Sequence, residues 1–259
     1  MIRPITRVAK YVIPDPAWRW ARSRYKHWKS ADNSPPIGVV DFGDFRRLTP
    51  ISEKFGADRG TVLDRYYTEA FLGQHRGDVR GRVLEIGDNF YTLRFGGDEV
   101  NKSDVLHVEA GNPLATIVAD LTSADEVPSN TFDCIIFTHT IQMIYDIHAG
   151  MHHLYRILKP GGVLLMTTHG TSKVGRRLGK DNWCVYWRLT EDSAQRLFSE
   201  SFQAENVSVQ GYGNIFAATA FLYGLAAEEL TPEELDTYDP DYQVLVAARG
   251  VKPLEPVTD

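Results

Sequence analysis

Residues 81–91 read GRVLEIGDNFY, and their types suit contact with the sugar and base of a nucleotide. The apolar pair Val83-Leu84 leads through Glu85 and Ile86 to Gly87, Asp88 and Asn89. A buried strand that ends in Glu-x-Gly opens a mononucleotide-binding βα unit. The glycine lets backbone approach a ligand closely, and an acid accepts hydrogen bonds from a ribose or an amino group. Asn89 and Tyr91 occupy positions where a G-x-G-x-G run would have further glycines. Two more acids, Asp104 and Asp120, close the next two apolar segments.

Further along stand groups suited to proton transfer and acceptor binding. His139 follows the apolar segment FDCIIFT, and an imidazole titrates near neutrality, so it is a candidate general base; the competing reading is a histidine that hydrogen-bonds substrate or backbone. Asp146 is either a catalytic acid or the cap of the helix that follows. His148, His152 and His153 have i, i+4 and i, i+5 spacing, which is suggestive of metal. No carboxylate or cysteine completes a set, so no metal site is expected. His169, Trp183, Tyr186, Trp187 and Arg188 gather around one loop and would give an acceptor pocket an aromatic, basic lining. Upstream, Arg59, Arg65, Tyr66 and Tyr67 are candidates to touch a ligand carboxylate, because arginine pairs with carboxylates in bidentate fashion.

The elements that must position these groups follow from periodicity and breakers. Apolar residues at helix spacing predict a helix over 61–74. Short apolar strands are expected at 82–86, 99–104, 116–120, 132–138, 162–168, 206–213 and 243–249. A helix at 148–158 stops at Lys159-Pro160-Gly161-Gly162. Thr190 caps another, an apolar helix spans 214–230, and Thr231 opens a short one with a capping box. Such strands joined by crossovers predict an α/β fold, a mostly parallel seven-stranded sheet with helices on both faces, whose ligands bind at the carboxyl edge.

Composition sets outer bounds. At 259 residues, 43% hydrophobic and 24% charged, the chain has enough apolar material for a full core. Residues 1–30 carry eight Lys/Arg against Asp15 alone, so this segment is +7 and the remainder −13 of the overall −6. An acidic body argues against a nucleic-acid groove. Residues 1–36, with Trp18, Trp20 and Trp28, form a basic aromatic arm ending in Asn33-Ser34-Pro35-Pro36. It reads either as a membrane-surface or partner-docking segment or as a packing arm. The expected domain is 37–259, with a core of about 61–252 and insertions at 169–187 and 214–242. Two cysteines, no secretory signal and no apolar stretch long enough to span a bilayer lead to a cytoplasmic expectation.

The stretch from about residue 61 to 252 resembles the class I S-adenosylmethionine-dependent methyltransferases, of the type 11-like kind. The matching pieces are VLEIG (83–87), Asp104, VADLT (118–122), FDCIIFTHTIQMIYD (132–146) and RILKPGGVLLM (156–166). The resemblance implies a Rossmann-like methyltransferase fold and S-adenosyl-L-methionine as cofactor. It implies that Gly87 and its neighbours Ile86, Asp88 and Asn89 face the methionine part, with Glu85 supporting the turn. Asp104 would hold the ribose hydroxyls and Asp120 the adenine amino group, with Val105 and Leu121 as adenine walls. Thr138 and Tyr67 join the cofactor set, and His139 falls where the family places residues beside the transferred methyl. The short span from Tyr91 to Asp104 requires the helix after the first strand to be very short or replaced by a turn, and Glu109 is a rival to Asp104. The implied function is methyl transfer to an oxygen or nitrogen of a small molecule, a sugar or natural product, with a homodimer as one expected assembly. The alternative is a catalytically silent methyltransferase-like module in glycan or metabolite assembly.

Overall fold

A computed structural model describes residues 35–175 and 184–254. The chain divides into two compact units, Met1–Leu48 and Thr49–Asp259. The described part of the first contains one 3₁₀ turn, Gly43–Phe45. The expected arm, with its three tryptophans, lies outside the described residues apart from its last two positions, as do Arg176, Arg177, Lys180 and Trp183 of the later loop.

The second unit contains a seven-stranded sheet: β1 (Gly81–Ile86), β2 (Val100–His107), β3 (Ile117–Val118), β4 (Phe132–Thr138), β5 (Leu158–His169), β6 (Val207–Tyr212) and β7 (Leu245–Val251). Their spatial order is β3-β2-β1-β4-β5-β7-β6, and only β7 runs antiparallel to its neighbours. Strand order reverses between β1 and β4, so the connections leaving those two strands diverge and a crevice opens at their carboxyl ends.

Around the sheet are α1 (Leu63–Gln74), α2 (Ile147–Ile157), α3 (Glu191–Phe202), α4 (Ile215–Tyr223) and α5 (Pro232–Asp236). Neighbouring strand residues point in opposite directions, and the core divides accordingly. Ile135 and Phe137 of β4 cluster with Leu84, Leu164, Met151 and Leu154 of α2, and Phe198 of α3. Cys134 and Ile136 cluster instead with Val83, Leu165, Tyr67 and Phe71 of α1, and Phe221 of α4. Among the described residues, no helix is long and apolar enough to cross a membrane.

Two expected boundaries shift for physical reasons. The apolar helix expected over 214–230 ends at Tyr223, because Gly224 takes a left-handed conformation and caps it through the Ala220 and Phe221 carbonyls. β2 runs three residues beyond its expected end at Asp104. Leu106 pairs with Ile86 on one side and Ile117 on the other, and the ladder therefore continues to His107.

The link from β1 to β2 contains no full α-helix, only a start at Phe90-Tyr91. A π-helical turn, Thr92–Gly96, and a 3₁₀ turn, Gly97–Glu99, replace it. Glu85, 2% exposed, holds this reversal. Its carboxylate accepts from the Tyr91 amide (3.1 Å), the Thr92 amide (2.7 Å) and the Thr92 hydroxyl (2.7 Å). Burial pushes the Glu85 pKa up to about 7, although those three bonds pull the other way.

A carboxyl raised in the folded state from 4.5 to about 7 contributes stability below pH 4.5 that is lost as pH climbs through 7. Glu85→Gln has no such titration. In urea melts, the stability gap between wild type and Glu85→Gln is expected to narrow from pH 5 to pH 8, by about 3 kcal/mol at most. A gap that widens would mean that the hydrogen bonds, not burial, set the titration.

Candidate functional site

At the carboxyl ends of β1 and β2, and past β3 and β4, lies a cavity of about 520 Å³. This size is typical of a site that encloses a small ligand. Ile86 and Gly87 reach it from β1, and Leu106, His107 and Val108 from β2. Ala119, Asp120, Leu121 and Thr122 follow β3. Thr140 and residues 143–146 follow β4, and Tyr186 closes one side. Gly87 has φ +87°, a conformation that disfavours any other residue, and a Cβ there would meet no atom within 4 Å. The backbone at Gly87 therefore lies open for close approach. Asn112 donates to the Gly87 carbonyl at 2.6 Å and fixes the turn from behind.

The sequence-expected cofactor residues separate into groups. Ile86, Gly87, Asp120 and Leu121 line the cavity. Asp120 Oδ1 accepts from the amide and hydroxyl of Thr122, both at 2.8 Å, in a tight local turn at the cavity rim. Glu85 lies beneath the turn. Asp88 accepts from the Phe90 amide, and the Asn89 side chain donates to Ser103 at 3.4 Å; neither lines the cavity. Thr138 ends β4 and is outside the lining, its carbonyl accepting from the Thr140 hydroxyl.

Three of the expected cofactor positions need correction. Asp104 does not end β2: it sits opposite Leu84 in mid-strand, 2% exposed. Its carboxylate is taken by Arg82 (2.7 Å), Lys102 (3.4 Å) and the Thr116 hydroxyl (2.9 Å). Burial opposes ionisation, yet these partners hold its pKa below the usual carboxylate range. Val105, 2% exposed, is inside the same strand and not on the lining. Tyr67, also 2% exposed, packs in the core and donates to the Leu235 carbonyl at 2.8 Å. Beyond the true end of β2, His107 Nδ1 lies 2.9 Å from the Glu109 carbonyl, and the exposed Glu109 follows in that turn.

Of the expected catalytic and acceptor residues, Asp146 lines the cavity and caps α2, accepting from the Ala149 amide at 3.0 Å. Tyr186 lines it as well. Trp187 supports the wall from behind, its indole N–H donating to the Ile144 carbonyl at 2.9 Å. Arg188 turns away to the Trp187 and Lys173 carbonyls. Arg59 is paired with Glu229, and Arg65 lies over the Phe90 ring. His148 faces Glu200 at 3.3 Å, whereas His153 is buried beside Arg156.

His139 and His169 come together in a second, polar centre. Each follows a threonine at the end of its strand, and β4 and β5 pair so that Thr138 lies opposite Thr167. The imidazole centroids are 4.5 Å apart. His169 Nε2 lies 2.7 Å from Asp64 Oδ2, and His139 Nε2 lies 3.1 Å from the Thr68 hydroxyl, which donates on to Thr167 at 3.3 Å. His139 adopts φ +47°, uncommon for a residue with a side chain, and its buried Nδ1 has no hydrogen-bond partner. Burial, then the neighbouring His169, push its pKa down to about 4, so the ring is neutral at pH 7. Burial of Asp64 opposes ionisation, but the His169 hydrogen bond, the two neighbouring imidazoles and the Arg65 amide together outweigh it and hold the carboxyl below its ordinary value.

Sequence reasoning passed over Asp64, Thr68 and Gln142. Asp64 and Thr68 are four apart on α1, hence on one helix face. The repeated Thr-His pair at the ends of adjacent strands was the available signal for what that face meets. Gln142, 4% exposed, ties the two centres: its side chain donates to the His139 carbonyl (2.9 Å) and accepts from Thr168 (3.0 Å), while its backbone carbonyl accepts from the Tyr186 amide (2.7 Å).

A family described as a methyltransferase domain matches residues 55–208. The ubiquinone/menaquinone biosynthesis C-methyltransferase UbiE of Enterobacter sp. (strain 638) is 33% identical over 86 residues, 33% of this chain and 32% of that protein. The chain thus matches about a third of that relative's length. Among solved structures, the [4+2]-cyclase SpnF superposes with a TM-score of 0.47 at 18% identity, covering 76% of this chain and 85% of that one. A SAM-dependent methyltransferase from Archaeoglobus fulgidus gives 0.48 at 11% identity, covering 73% and 94%.

The two acids once paired as nucleoside ligands now carry opposite expectations for stability. Asp104→Ala strands Arg82 beside a buried gap and should cost about 2–4 kcal/mol. Asp120→Ala, at the exposed rim, should cost no more than about 1 kcal/mol. Denaturant melts of both variants decide it, and equal losses would contradict the placement of Asp104.

Proposed function

The chain belongs to the class I S-adenosylmethionine-dependent methyltransferases, and on that premise we propose that it methylates an oxygen or nitrogen of a small molecule, a sugar or natural product. The observation that carries this reading is the shared cavity: Gly87 and Asp120 border one space at the switch between β1 and β4. In this reading helices cover the sheet on both sides, α2 and α3 opposite α1 and α4. Its setting is cytoplasmic, in keeping with a sequence that has only two cysteines.

The residues fit the cofactor. Ile86, Leu106, Ala119 and Leu121 offer apolar surface for an adenine, and Asp120 Oδ2 is available to accept from its amino group. The ribose falls to Glu109, just past the true end of β2, where a carboxylate accepts both hydroxyls of a cis-diol. The open Gly87 backbone faces the methionine part. When bound, S-adenosylmethionine supplies a methyl group on a sulfonium, whose departure leaves a neutral thioether.

This chain's residues then have to align the acceptor and receive its proton. In this reading the role falls to the Asp64, His139 and His169 cluster, which lies off the cavity lining but adjoins it in sequence where His139 precedes Thr140. Tyr145, Tyr186 and Trp187 supply aromatic surface at the other side, with Tyr145 and Tyr186 ring centroids 5.2 Å apart. That combination suits a small polar acceptor with an apolar face. Tyr91, which replaces a small residue and would motivate a silent module, packs in the core beside Phe95 rather than on the cavity lining.

S-adenosylhomocysteine at millimolar concentration is expected to raise the melting temperature, by about 2.7 kcal/mol of stabilisation at a hundred times its Kd. Glu109→Ala should reduce that shift at least as strongly as Asp120→Ala, while Asp104→Ala lowers the starting temperature but keeps the shift. A wild-type chain that shows no shift would sink the enzyme reading.

A further inference from the structure

We propose that Asp64, His139 and His169 form a binding site for one divalent transition-metal ion, which in the methyltransferase reading would stand beside the acceptor, since His139 adjoins Thr140 of the cavity lining. One ligating atom from each of the three lies within 4.8 Å of the others, and each residue is partly shielded from solvent. Donors about 2.1 Å from a common ion sit roughly 3–3.4 Å apart. The site deepens the methyltransferase reading, from which the acceptor takes its place, but the ligand set stands on geometry independent of it.

Three observations converge on a cation rather than a proton relay alone. The first is the buried His139 Nδ1, which has no partner. Leaving an imidazole nitrogen so is costly, and such an atom points to a missing ligand. The second is the surrounding shell. His139 Nε2 is engaged by the Thr68 hydroxyl, leaving Nδ1 as the nitrogen available to a ligand. A metal-binding histidine is oriented in this way, by a hydrogen bond at its other nitrogen. The third is backbone cost. His139 is held at φ +47°, while its amide donates to the Thr167 carbonyl at 2.8 Å. That conformation carries the ring off the strand toward His169.

The donor types narrow the ion. Two imidazoles and one carboxylate are borderline ligands, suited to zinc, iron(II), cobalt(II) or nickel(II) rather than calcium or magnesium. Three protein ligands leave at least one coordination position for an acceptor group or water. His169 Nε2 and Asp64 Oδ2 are already 2.7 Å apart, so two of the three donors are held side by side. The Gln142 amide, 3.5 Å from His169 Nδ1, is too distant to fix the opposite tautomer.

The test uses the full chain, stripped with a chelator and titrated with cobalt(II). One equivalent per chain is expected to bind, with visible d–d absorption and competition by zinc(II). Asp64→Asn, His139→Gln and His169→Gln should each weaken binding about 10–100-fold. A His148→Gln, His152→Gln double variant should bind as wild type does. In the unmutated chain, cobalt(II) should broaden the imidazole resonances of His139 and His169, a readout independent of any variant's folding. No stoichiometric binding, binding that survives all three substitutions, or broadening confined to His148 and His152 overturns the proposal and leaves Asp64–His169 as a proton-accepting pair. S-adenosylhomocysteine is titrated in parallel. Cobalt binding without S-adenosylhomocysteine binding would sustain the metal site while refuting the methyltransferase reading.

Discussion

A buried carboxylate organises the carboxyl edge of this sheet. In a longer crossover, an α-helix after β1 would present its own amide groups and dictate where the chain turns. Here most of the link to β2 is a π turn and a 3₁₀ turn, and Glu85 supplies acceptors for the amides at its start. Breaking this arrangement would release the segment that carries Gly87. With Glu85 anchored below and Asn112 behind, the Gly87 backbone can remain open to the cavity without relying on further glycines. The arrangement also accommodates Asn89 and Tyr91: Tyr91 fills core space that a helix would otherwise have filled.

Much of the architecture was legible because its signals are local. β4 is expected and found at 132–138, and the helices capped by Asp146, Thr190 and Thr231 begin where their caps stand. Asp104 was misplaced for a reason equally physical. In DVLHVE the apolar alternation does not mark an end, because a strand flanked on both sides continues for as long as its neighbours offer partners. Ile86 and Ile117 do so for Leu106. Arg82 and Lys102, next to Asp104 in space, already make that acid a structural partner. Nothing within the sequence of β2 discloses that pairing.

The polar centre was only half readable. His139 and His169 were each singled out, one as a base and the other as an acceptor contact. The register that makes them neighbours depends on β4 and β5 pairing in parallel with Thr138 opposite Thr167. Asp64 is 75 residues from His139 and was obscured by the more conspicuous Arg65, Tyr66 and Tyr67. Helix spacing decides between these neighbours. Leu63, Tyr67 and Phe71 form the buried stripe of α1, so Tyr67 must go to the core. Asp64 and Thr68, one position further round, border that stripe at the sheet edge.

The two centres have opposite electrostatic characters, and Gln142 explains how they coexist. An apolar cavity favours a flat base but would penalise stray charge; a cluster of two imidazoles and a carboxylate requires polar neighbours to keep its members oriented. Gln142 separates and couples them. Its amide is pinned by Thr168 and the His139 carbonyl, so it can neither flip nor withdraw without stranding a buried donor or acceptor. Its own carbonyl, meanwhile, holds the amides of Tyr186 and Trp187, at the cavity wall. A shift of that wall must therefore be felt at His139 and His169, because the connection passes through one buried, fully engaged residue and not through solvent. Tyr186 on one side and the two imidazoles on the other are thus tied through hydrogen bonds that are costly to break separately.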